Sequence, residues 1–90
     1  MIVLNKGESR IIGIEISARD RANFEITEST YELYRLVNNR LVFVSEGICD
    51  ILGKNAQIQV NADETGIYVI KFINIILGER VIKKVEFLVE

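Results

Sequence analysis

Apolar and polar residues alternate in short runs along this 90-residue chain, and turn residues interrupt the runs about every ten positions. Alternation with a period of two sends side chains to opposite faces of a strand, so each run predicts a half-buried β-strand. Met1–Leu4 predicts a short first strand, stopped by Asn5-Lys6-Gly7-Glu8. Arg10–Ser17 predicts a second, with Ile12, Ile14 and Ile16 on one face. The polar stretch Ala18–Glu28 reads as a loop whose Phe24 and Ile26 tuck under the edge of the fold. Thr30–Val37 and Arg40–Ser45 predict a hairpin across Asn38-Asn39, because Asn tolerates the left-handed backbone of two-residue turns. Gly47 predicts a bulge or turn before Ile48–Leu52, and Gly53-Lys54-Asn55 turns the chain into Ala56–Val60. The longest run, Ile67–Leu77, leads through a Gly78-Glu79 turn into the closing strand Arg80–Val89. No segment has a helical period long enough to matter.

The stretch Asp63-Glu64-Thr65-Gly66-Ile67-Tyr68 before an alternating run resembles the corner that opens the penultimate strand of an immunoglobulin-like sandwich. In such a corner the Tyr ring packs inward and its hydroxyl returns to backbone a few residues upstream. With the turn spacing, this predicts an all-β fold: one antiparallel immunoglobulin-like β-sandwich of about seven or eight strands over residues 1–90. A closed barrel is the weaker alternative. If Tyr68 points inward, so do Ile70 and Phe72, two and four residues on. Ile70 then stands where many immunoglobulin domains carry their second Cys, and Ile14 is the candidate to face it from the second strand. Val81, Val85, Phe87 and Val89 form the inner series of the closing strand. Lys83 shares that series, so this strand should leave the core near its start.

The opposite face of the last two strands carries Ile67, Val69, Lys71, Ile73 and Ile75 on one and Ile82, Lys84, Glu86 and Leu88 on the other. Paired, they gather apolar side chains that an isolated sandwich exposes, and Tyr34 and Leu36 extend the set. Contiguous exposed apolar patches mark interaction sites. The expected site is therefore a protein interface of Tyr34, Val69, Ile73, Ile75, Ile82 and Leu88. The competing reading is that Asn74 bulges its strand and returns Ile73 and Ile75 to the core.

Composition narrows the function classes. With 49% hydrophobic and 27% charged residues the chain is globular in type. Ninety residues make one domain that buries roughly 60–65% of its unfolded surface. A net charge of −2 gives no reason to expect nucleic acid, and alternation splits the basic cluster Arg80, Lys83, Lys84 between two faces. No apolar run approaches the roughly 20 residues a membrane span needs, so no membrane insertion is expected. No signal peptide is visible, which points to a virion or the host cytoplasm. The single Cys49 excludes an internal disulfide. Without His, the Ser–His and Cys–His pairs and the usual zinc sites are out of reach, so neither an enzyme nor a cofactor is expected. Three weaker candidates each have a structural reading beside the chemical one. Asp63-Glu64 is half of a calcium site or a turn bonded to its own backbone. Asp20 with Glu25, or Glu28 with Glu32, is an acid–base pair or a solvated face. Cys49 is a reactive thiol or a small buried hydrophobe.

Several stretches together resemble a known group. They are Lys6-Gly7-Glu8 with the Ile-rich strand after it, Phe24-Glu25-Ile26-Thr27 before Thr30-Tyr31-Glu32-Leu33-Tyr34, Gly47-Ile48-Cys49, and Gly66 to Phe72. The chain is similar to small immunoglobulin-like proteins from the structural regions of tailed phages and prophages of low-GC Gram-positive bacteria. Similar segments open some baseplate upper-protein and tail-fibre domains. The resemblance carries no catalytic motif. It implies a structural component of a virion, in the tail, the baseplate or the head–tail region, that works through contacts with other protein subunits or with itself. The alternative from another class is a carbohydrate- or cell-surface-binding adhesion module, for which a chain without Trp and with three Tyr is poorly equipped.

Overall fold

The computed structural model describes residues 1–17 and 24–90. The strands are β1 (Ile2–Leu4), β2 (Ser9–Glu15), β3 (Ile26–Val37), β4 (Arg40–Ile48), β5 (Asp50–Leu52), β6 (Asn55–Asn61), β7 (Gly66–Ile76) and β8 (Glu79–Val89). They form a five-stranded sheet in the order β1-β8-β7-β3-β4 and a three-stranded sheet in the order β2-β6-β5. β1 runs parallel to β8, and the other pairs are antiparallel. The neighbours β3-β7-β8 and β2-β6-β5 reproduce the C-F-G and B-E-D strands of an immunoglobulin sandwich, with β4 the added strand beside C. The expected all-β sandwich is the fold.

Strand alternation builds the core. On β7, Tyr68, Ile70, Phe72, Asn74 and Ile76 are buried while their neighbours look outward. Tyr68, Ile70 and Phe72 cluster with Leu4, Phe87 and Val89 of their own sheet and Ile12, Ala56, Ile58 and Val60 of the other. A second cluster of Ile16, Phe24, Ile26 and Ile76 closes one end. Phe24 and Ile26 are thus buried as expected, but residues 26–28 already belong to β3 rather than to a loop, and residues 18–23 of the same stretch lie outside the described residues. Ile14 is half-buried and packs against both clusters; Ile12, two residues earlier, is the deeper of the pair.

The corner before β7 is held from two sides. Tyr68 Oη donates to the Glu64 carbonyl at 2.9 Å, and its ring stacks on Phe87 with centroids 5.0 Å apart. From β3, Arg35 donates to the Thr65 carbonyl at 2.6 Å and to Glu64 Oε2 at 2.8 Å, and its guanidinium lies 5.9 Å from the Tyr68 ring centre. Gly66 adopts φ 144, and a Cβ there would come within 3.0 Å of Arg35 Nε. A side chain would be strained and would press on the arginine.

The β7–β8 register runs unbroken from Gly66 opposite Val89 to Ile76 opposite Glu79, so Asn74 makes no bulge. Its side chain points into the core, where Oδ1 accepts from Ser29 Oγ at 2.6 Å and Nδ2 donates to the Val81 carbonyl at 3.2 Å. A buried amide whose bonds are made fits the pleat, so Ile73 and Ile75 stay on the outer face. The irregularities fall on the neighbouring strands: at Thr27 in β3 and at Val44 in β4. Gly47, expected to bulge, instead pairs in register with Tyr31. Its missing side chain makes room for that ring, since a Cβ would sit 2.9 Å from Tyr31 Cε1. The last hairpin turns at Leu77-Gly78, one residue earlier than expected, with φ values of 51 and 78. Gly therefore takes the second turn position, as in the favoured Asn-Gly pairs of such turns. Asn38 and Asn39, at φ 50 and 63, form the other hairpin turn as expected.

Candidate interaction surface

One side of the five-stranded sheet forms the core, and the registers of β1, β3, β4, β7 and β8 fix what the other side presents. Side chains there fall into rows across the strands. Val3, Leu88 and Ile67 make the first row. Glu86, Val69, Tyr34 and Phe43 follow, then Lys84, Lys71, Glu32 and Glu46, then Ile82, Ile73, Thr30 and Ile48. Arg80, Ile75 and Glu28 end the series.

All six expected interface residues lie on this face. Tyr34, Val69, Ile73, Ile75 and Leu88 are half-buried, and Ile82 is exposed. The structure brings Val69 beside Tyr34 and Ile73 beside Ile82. It does not join them into one apolar field, because the Lys84–Lys71–Glu32–Glu46 row runs between the two groups. Lys71 Nζ lies 3.6 Å from Glu32 Oε1, and the same oxygen accepts from Tyr34 Oη at 3.1 Å. That hydrogen bond, with the carboxylate charge behind it, raises the Tyr34 phenol above its ordinary value. The Tyr34 ring meets Phe43 edge-on, with centroids 6.0 Å apart.

β4 adds a feature that the sequence did not flag. It is the edge of its sheet, and Leu41, Val42, Phe43 and Val44 are each about half exposed, at 51%, 48%, 53% and 47%. A run of four apolar residues without alternation ordinarily reads as a strand covered on both faces. Here Phe43 belongs to the uncovered outer face, and on the inner side β5 pairs only with Asn55–Gln57, so the sheets stand open beside Val44. The opening is a groove of about 390 Å³ lined by Tyr31, Leu33, Val44, Ile58 and Val60, with Asp63 and Glu64 at its rim. The Val44 bulge is one of the devices that blunt a sheet edge; β4 contains neither of the others common there, Pro or Lys.

The chemical candidates have structural roles. Glu64 pairs with Arg35. No group of three or more His, Cys, Asp or Glu among the described residues is placed to hold a metal ion. Cys49 is buried where β4 passes into β5, and burial pushes its thiol pKa up, away from reactivity. Glu28 and Glu32 lie two rows apart on the outer face, with Glu32 engaged by Lys71 and Tyr34; Asp20 lies outside the described residues. Lys83 stands opposite Phe72 and Lys84 opposite Lys71, so the basic cluster divides between the two faces. No helix is long and apolar enough to cross a membrane among the described residues. No protein-family model matches the chain, and no curated protein matches it.

Proposed function

We propose that this domain is a non-enzymatic protein–protein interaction module whose working surface is the outer face of the five-stranded sheet. One observation carries the reading. Ile67, Val69, Ile73, Ile75, Ile82, Leu88, Tyr34 and Phe43 all turn away from a core that is complete without them. Covering such a face removes apolar surface from water at about 25 cal/mol per Å², while the charged row fixes how a partner lies across it. The exposed edge of β4 offers backbone hydrogen bonds as a supplement. The resemblance described above supplies the setting: a tailed phage or prophage, with the domain in the tail, the baseplate or the head–tail region and other structural subunits as partners. Its places are then the virion and the host cytoplasm.

Binding of the chain to itself and to the products of neighbouring genes tests the reading, with Val69→Lys and Ile82→Lys alongside. Both positions face outward, so the variants keep the wild-type circular dichroism. Loss of binding in both supports the module; binding as tight as wild type by both rejects it.

A further inference from the structure

The charged row has a direction. It carries two lysines on β8 and β7, then two glutamates on β3 and β4, so one half of the row is positive and the other negative. Lys71 and Glu32 already pair within the chain, while Lys84 and Glu46 have no ion-pair partner among the described residues. A row of this kind is complementary to a reversed copy of itself. We propose that the partner of this face is a second copy of the chain, packed face to face about a two-fold axis parallel to the strands and passing between β3 and β7. The proposal rests on the interaction reading above and names its partner.

The axis follows from the charges. A two-fold parallel to the strands lays β7 over the partner's β3 and β8 over the partner's β4, with the rows kept level. Lys71 then faces the partner's Glu32, and Lys84 faces the partner's Glu46. In the neighbouring rows Val69 meets the partner's Tyr34 and Ile82 meets the partner's Ile48, while Glu86 falls at the margin over the partner's Phe43 and Ile75 over the partner's Glu28. A two-fold in the same plane but across the strands would set Lys71 on the partner's Lys71 and Glu32 on the partner's Glu32. Like charges so placed reject that arrangement. Face-to-face sheets cross at about 30°, and Lys71 and Glu32 flank the axis, where that rotation displaces them least.

The size is sufficient for a reversible dimer. Four strands about 4.8 Å apart and nine residues of about 3.3 Å each outline roughly 550 Å² per protomer. Two such faces cover about 1,100 Å², close to the lower bound for specific association. Self-association should therefore emerge between about 1 µM and 1 mM.

Light scattering coupled to size exclusion, across that range, tests the proposal with two double variants. K71E/K84E makes the row wholly negative, and E32K/E46K makes it wholly positive. Each alone should be a monomer, with self-association weakened about tenfold or more. Mixed one to one, they should recover a dimer of near wild-type affinity, because every facing pair is again opposite in sign. Recovery on mixing also answers the objection that either variant misfolds. A wild-type chain monomeric throughout overturns the two-fold, and so do double variants that dimerise undiminished. Neither result touches the broader module reading, which the binding of neighbouring gene products decides separately.

Discussion

At the scale of single residues, the alternation of β7 places one polar group inside, where composition would expect an apolar one. Asn74 sits among Ile70, Phe72 and Ile76 with no exposed surface, held by Ser29 and the Val81 carbonyl. Asn74→Leu keeps the size but strands the Ser29 hydroxyl and frees the Val81 carbonyl. An unsatisfied buried group costs about 1–3 kcal/mol, so urea denaturation should report a loss in that range. Adding Ser29→Ala removes the orphaned hydroxyl, and the double variant should regain part of the loss. A double variant less stable than Asn74→Leu alone would mean the two side chains do not act as a pair.

At the scale of elements, the two hairpin turns differ in how well their residues suit them. Asn38-Asn39 uses residues that tolerate positive φ, while Leu77 holds φ 51 and is 57% exposed. Leu in that region is strained by roughly 1 kcal/mol and here recovers little by burial. Leu77→Asn should raise the melting temperature, equivalent to about 0.5–1 kcal/mol; an unchanged or lower value would place the strain elsewhere. The β4 edge permits a second test. Val42→Lys is a surface change worth within about 0.5 kcal/mol in stability, yet it should suppress aggregation on heating, because charge on an edge strand blocks strand addition. The sequence revealed most of what is local at this scale. Once the resemblance to an immunoglobulin corner set Tyr68 inward with its hydroxyl on upstream backbone, period two placed Ile70 and Phe72 inward and Val69 outward. Ile73 stayed open until the unbroken register showed that Asn74 makes no bulge. What it could not reveal depends on pairing between distant strands. Gly78 marked a turn but not whether it stood first or second in it. Lys84, Lys71, Glu32 and Glu46 form a row only when three registers are known, and Leu41–Val44 is an exposed edge only once the strand order places β4 last in its sheet.

At the scale of the whole molecule, the layers are unequal, five strands on one side and three on the other, and the corner tyrosine and the lone cysteine are both buried. Burial is the leading cause that raises both groups above their ordinary values of 10.0 for Tyr68 and 9.0 for Cys49. Each therefore favours folding while protonated. Below the lower of the ordinary values both are protonated in the folded and unfolded chains, and stability is flat with pH. Above it the unfolded chain releases its protons first, so it binds fewer than the folded chain and the free energy of unfolding falls as pH rises. The Tyr68 contribution has a structural counterpart, since the phenol donates to the Glu64 carbonyl only while it holds its proton. Urea denaturation of wild type, Tyr68→Phe and Cys49→Ala from pH 7 to about pH 11 should therefore give a plateau and then a decline. Tyr68→Phe should start about 1 kcal/mol lower through the lost hydrogen bond and decline less steeply above pH 10. Cys49→Ala should decline less steeply from about pH 9. Three curves that stay parallel across this range would remove the alkaline sensitivity from these two buried groups and assign it to surface charge.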